Sequence, residues 1–456
     1  MDPRSLALFR VLLGITLLLD LAGRAPYVRA FYSDQGVLSR ELAVQSGFAG
    51  EWLCFHLGTG SSTGIALLLF LQAVLAIGVL VGWRTRWMVL GSWVMLNSLH
   101  VRNPFVNDRG DLELALLLFW GFFLPLAQVW SVDARGREKT SVWEAKGLNS
   151  AAYVAQIGLI YLLAGITKYG DFWLVRGDGL YHSLRSPLFA SAAAEWLSQA
   201  PRGLLWLGNY SVIAGEVFVG LLLLCPYSVP LLRRIAVILI VLFHLAVALL
   251  FHLGLFPWIG LVGALALLPT ALWNSPAGAT VERALNHRLG DNQLKTRPLP
   301  KPLSYFLALC LFLVLLSNAT NRVEGEAFSR GSLLTGLTNA LRFDQHWELF
   351  SPIPPYDGTY SIHSTEDSRT VFSAPNADTP FRSHRWRMLM IASLYPRFSV
   401  VREGLVRELT PNPHSGEYIY RFEVHLIDPD GESKQVTSWT LWRGQLGGER
   451  GKVLLK

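Results

Sequence analysis

The chain reads as a membrane all-α helical bundle of about nine transmembrane helices, followed by a small, mostly β extramembrane domain. Three observations predict this. Of 456 residues, 51% are hydrophobic and only 16% charged, where soluble domains carry about 25% charged residues. Apolar runs of spanning length, roughly 17–25 residues, recur through the first two thirds. Beyond residue 320 the pattern changes to an alternation of apolar and polar residues, which is strand chemistry.

The runs are 5–23, 64–83, 86–101, 111–130, 149–167, 204–225, 231–253, 256–273 and 303–319. Asp20 interrupts the first, and no small-residue cleavage site follows it, so it reads as a retained helix rather than a signal peptide. Sixteen Trp and 12% aromatic residues suit interfacial belts. The net charge is +7. From Thr320 onward, 16 Lys+Arg balance 16 Asp+Glu, so the excess lies in the hydrophobic part. There it is a topology signal and gives no reason to expect a nucleic-acid partner. With the N-terminus cytoplasmic, the inner loops and helix ends hold thirteen Lys/Arg and the outer ones nine. That bias predicts a cytoplasmic N-terminus and an external C-terminal domain.

The chain thus divides into a multi-pass domain, 1–319, and an extramembrane domain, 320–456. The linker 274–302 is expected on the cytoplasmic side. The loop LRFDQHWELFSPIPP (341–355) is held extended by its prolines. EYIYRFEVHLID (417–428) and KQVTSWTLWRG (434–444) are the clearest strands. Cys54, Cys225 and Cys310 have neither CxxC nor Cys/His spacing, and two of them sit in apolar segments. They read as small buried hydrophobes, and no metal is expected.

Ionisable side chains in a spanning helix cost about 2.5–3.5 kcal/mol each on insertion scales, and they face a bundle interior or a wet cavity. Arg10, Asp20 and Arg24 lie in or at the end of the first helix, and Asp20 and Arg24, four apart, share a face and can pair. NSLHVRNPFVNDRGDLELA (97–115) leaves one helix and enters the next through Asn107, Asp108, Asp111 and Glu113. At a helix start, acidic residues also suit the dipole. Glu216 is the isolated carboxylate of the sixth run and shares a face with Asn209; His244 and His252 lie in the seventh. A lone His on an apolar face is more often a satisfied core residue than a ligand. YLLAGITKYGDFW (161–173) ends an uninterrupted apolar helix at Lys168, with Tyr169, Phe172 and Trp173 close behind. A lysine there is either an interfacial anchor or a desolvated base. On the predicted topology all these groups lie at the external end or enter from it, which points to one outward-opening polar cavity.

FRVLLGITLLLDLAGR, FYSDQGV, RNPFVNDRGD, YLLAGITKYGDFWLVRGDGLYHSL, HLGLFPWIGLVGALALLP and FDQHWELFSPIPP, in that order, resemble the HTTM family. This is the horizontally transferred transmembrane domain shared by vitamin K-dependent γ-glutamyl carboxylases and many bacterial proteins. The resemblance covers about residues 1–355. It implies a multi-pass protein of a bacterial plasma membrane. It also implies a lysine, without metal or tightly bound cofactor, that deprotonates a reduced quinone of the vitamin K or menaquinol type. In the carboxylases, reaction of that quinol with oxygen leads to the epoxide, and the strong base formed on the way takes a glutamate γ-proton before carbon dioxide adds. The family lysine follows an A-G-x-x-K pattern, and Ala164-Gly165-Ile166-Thr167-Lys168 matches it. Lys168 is accordingly the expected catalytic base. Asn107, Asp108, Asp111, Trp173, Glu216 and His244 are expected to shape the quinol cavity. Where the eukaryotic carboxylases carry an Asn-His tract, this chain has Asn107-Asp108, and its C-terminal domain is far smaller than theirs. The alternative implied function is a non-catalytic membrane partner that binds or helps mature an exported peptide.

Overall fold

A computed structural model describes residues 1–45, 54–135, 147–186, 188–225, 230–289, 300–323, 358–374, 383–410, 416–427 and 433–446. Between 336 and 350 it describes 336, 338–339, 341–343, 345, 347 and 350. All nine apolar runs form helices: α1 (Pro3–Arg24), α2 (Ser62–Val81), α3 (Thr85–Arg102), α4 (Arg109–Phe123), α5 (Leu148–Ile166), α6 (Arg202–Leu224), α7 (Pro230–Leu250), α8 (Phe256–Leu265) and α9 (Lys301–Val323). Six of them, α1, α2, α5, α6, α7 and α9, are long and apolar enough to cross a membrane. The other three fall short of the nine spans expected, each for a local reason. Arg86, His100 and Arg102 make α3 too polar. Pro125 stops α4 at fifteen residues and Pro269 lies just past the end of α8, which has ten, because the residue before a proline is pushed out of the helical region.

The helix ends are sealed by side chains. Asp2 accepts from the backbone of Arg4 to open α1, and Ser61 does the same from Gly64 at α2. The α2–α3 turn is three residues long and passes through Gly82 at φ +72°. Asp133 accepts from the backbone of Arg84 and Thr85 at 2.8 and 2.9 Å. Arg10 explains its own burial here: its guanidinium donates to the carbonyls of Val79, Leu80 and Trp130, closing the end of α2.

Outward faces are apolar. On α7, Val237, Ile240, His244 and Val247 turn inward while Ile238, Leu242, Leu245 and Leu249 are exposed. Those leucines suit lipid rather than water. Helices α5 and α6 pack closely through glycines. A Cβ on Gly165 would lie 2.9 Å from the backbone of Val217, and one on Gly220 would lie 2.7 Å from that of Leu162. Small residues are what let helix backbones approach within a membrane.

Beyond the bundle, β1 (Gly358–Ser364), β2 (Thr370–Ala374), β3 (Gly416–Ile427) and β4 (Ser433–Leu446) form an antiparallel sheet of order β2-β1-β3-β4. The two strands read from the sequence are β3 and β4. Two further helices, α10 (His384–Leu394) and α11 (Arg402–Leu409), pack with it. Tyr360, Ile362, Tyr420 and Phe422 share one buried cluster with Leu389 and Val406, and also with Phe31, Val37, Leu99 and Phe105 from the bundle. The sheet domain is therefore seated on the bundle end where α1 and α3 finish. Trp386 closes the joint, packing edge-on against Phe31 at 4.9 Å.

The connecting stretch enters the bundle rather than skirting it. Phe343 is fully buried against Phe119 and Trp120. Gln345 exchanges hydrogen bonds with Gln156 of α5 at 2.8 and 3.1 Å. The prolines of 351–357 and the linker positions 290–299 lie outside the described residues.

Candidate functional site

Lys168 follows the last turn of α5, and its side chain turns back into the bundle, where it is 4% exposed. Its Nζ donates to Glu216 Oε2 at 2.6 Å and to the Ala164 carbonyl at 3.2 Å. The Trp173 ring centre lies 5.5 Å away. All three faces of an ammonium thus meet a carboxylate, a carbonyl and a π-cloud. The close α5–α6 approach at Gly165 delivers this pair, since an added Cβ there would also meet the Glu216 side chain.

The wall is built by the segments on either side. Trp173, buried, donates through Nε1 to the Phe350 carbonyl at 2.8 Å. Asn209 ties that segment to α6, donating to the Trp173 carbonyl and accepting from the backbone of Leu180. Trp347 is buried alongside, its carbonyl accepting from Thr167 Oγ1 at 3.3 Å. Asp171 points away and pairs with Arg176 at 2.6 Å, half-exposed, as the sequence requires if it is to leave the amine alone.

Asn107, Asp108 and Asp111 belong to a second cluster at the same bundle end. Asp108 caps α4 reciprocally with Asp111 and meets His384 Nε2 at 2.5 Å. Asp111 pairs with Arg24 at 2.5 Å and with Arg385, which also reaches Asp20 at 2.6 Å. Asp20 pairs with Arg24 at 2.8 Å, the partnership their spacing predicts. Two carboxylates and two guanidiniums thus balance out of water. Burial works against the charge of Arg385, but Asp111, Asp20 and Asp108 overcome it and raise its pKa. Asn107 donates to the His100 carbonyl at 2.9 Å. These residues hold the sheet domain on the bundle.

His244 shares no hydrogen bond with either cluster; its Nε2 is hydrogen-bonded to Tyr161 Oη at 2.7 Å. Of the expected site residues, then, the fold joins Lys168, Trp173 and Glu216, and it separates Asn107, Asp108, Asp111 and His244 from them. It adds Trp347, Tyr161, His384 and Arg385. The last two come from 274 to 276 positions away along the chain, and no local spacing announces them.

The family model of the HTTM domain matches residues 1–273, more than half of the chain. The chain belongs to the HTTM domain family. No curated protein and no solved structure matches it. The HTTM domain spans α1–α8 and holds Lys168, Trp173, Glu216 and His244. It ends at Trp273, which is buried against the start of α1 and donates to Ser5 Oγ at 2.7 Å. Helix α9, Trp347 and the sheet domain with Arg385 lie beyond the matched region.

Proposed function

We propose that this HTTM protein is an integral membrane enzyme of carboxylase-like type, acting on a reduced quinone at the external end of the bundle with the Lys168–Glu216 pair in the role of base. The observation that carries this reading is the buried Lys168–Glu216 pair at 2.6 Å, walled by Trp173 and Trp347. A carboxylate beside the amine changes how the base works. The pair as a unit accepts the quinol proton: the quinol O–H breaks, Glu216 gains the proton, and Lys168 stays cationic beside the quinolate. A positive charge fixed next to the developing anion is worth most where water is excluded. The indole faces and the lipid-facing leucines suit a flat, lipid-soluble substrate.

The test is to supply membranes containing the protein with a reduced menaquinone or vitamin K and oxygen, and to measure epoxide. Wild type forms it, while Lys168→Ala and Glu216→Gln fall by at least about 100-fold. Absence of lysine-dependent epoxide with any quinol, alongside a co-purifying peptide, would instead establish the non-catalytic peptide-binding partner.

A further inference from the structure

Lys168 and Glu216 are 4% and 3% exposed, so a proton taken up there needs a route out of the bundle. A series of titratable groups lies between this pair and the surface. Tyr161 sits two turns before Lys168 on the same face of α5, hydrogen-bonded to His244 and one turn before Gly165, where the Glu216 side chain packs. Glu113 is 3% exposed, a carboxyl group held almost wholly out of water. His244 Nδ1 is likewise buried without a partner among the described residues.

Both buried groups meet the same stripe of α8. The His244 ring lies directly against Gly260, where an added Cβ would fall 2.1 Å from it. Glu113 Oε1 is 3.6 Å from the Cβ position of Gly263, one turn along, whose carbonyl accepts from Tyr153. At the start of the same helix as Glu113 stands its cap, Asp108, bonded to His384, with side chains 11% and 12% exposed. Acid, phenol and imidazole thus follow one another from the buried pair to the edge of the sheet domain.

We infer that Glu113 is the central link of a proton relay running from Glu216 through Tyr161–His244 and Glu113 to Asp108–His384 at the surface. Each member takes a proton on one side and releases one on the other, with water bridging the open ends of Glu113 and His244. The relay rests on the proposed quinol chemistry, and it makes Glu113 a positioning residue for the proton rather than a contact of the substrate.

Two readouts test it. In quinol turnover, Glu113→Gln should lower kcat about tenfold or more, with KM within about twofold and an unchanged melting temperature, and Glu113→Asp should recover part of the rate. Wild-type kcat in Glu113→Gln, or equal losses in both variants with a lower melting temperature, would overturn the relay. In infrared spectra of the quinol-free protein, the carboxyl band that vanishes in Glu113→Gln should shift when Glu216→Gln is introduced. An unmoved band overturns the relay whatever the turnover. A shifted band in a protein that turns over no quinol supports the relay and rejects the quinol reading.

Discussion

A buried lysine with three satisfied contacts cannot lose one partner cheaply. Lys168→Met leaves Glu216 unpaired between apolar helices, and Glu216→Leu leaves the ammonium; breaking such a pair costs about 3–5 kcal/mol, whereas replacing both members can be close to neutral. The double variant should therefore melt above either single one in a thermal denaturation series. If the losses simply add, the two side chains are not coupled as the 2.6 Å contact requires. The lysine is legible in the sequence, because a cation followed by three aromatics in five residues stands out at the end of an apolar helix. Its partner was not. Glu216 stood out as an isolated carboxylate, but 48 residues separate the two, and only the glycine-mediated approach of α5 and α6 says that they meet. Asp108 and Asp111 were read as lining a cavity, and the acidic helix start they form was equally visible. That the same carboxylates also clasp Arg385 and His384 depends on how a distant domain docks.

Between elements, the decisive joint is α10 on the bundle. Arg385 reaches Asp111 and Asp20 together, and truncating it leaves two carboxylates to Arg24, with His100 3.4 Å from Asp111. Arg385→Ala should loosen the sheet domain, exposing α10 to limited proteolysis while α1–α8 stay protected; a wild-type digestion pattern would show that the apolar contact of Trp386 with Phe31 suffices alone. The helices themselves were readable, since hydrophobic length and proline positions are local properties. Their ends were less so. Pro125 and Pro269 were in plain view, but counting apolar residues across them lengthened α4 and α8. The insertion of Phe343, Gln345 and Trp347 was hidden for another reason: the pairing of Gln345 with Gln156 is specific in space and featureless in sequence.

At the scale of the molecule, one bundle end carries the Lys168 pocket, the charged network and the sheet domain. From the charge bias of the loops we propose that this end faces outward. With Asp367→Cys in the β1–β2 turn and Thr280→Cys beyond α8, a membrane-impermeant thiol reagent should label the first in intact cells and the second only after permeabilisation. The reverse pattern would invert the protein and move its chemistry to the cytoplasmic face. The HTTM domain ends before α9, so the family match alone would have omitted Trp347, His384 and Arg385. The site is finished by chain that follows the matched region.

The central claim is that the Lys168–Glu216 pair faces a quinol. A photoreactive azido-menaquinol, irradiated in membranes and mapped by peptide mass spectrometry, addresses it directly. The account predicts crosslinks on the 161–176 segment and around Trp347, suppressed by excess unmodified quinol. Crosslinks confined to the lipid-facing leucines of α7, unaffected by competitor, would contradict it.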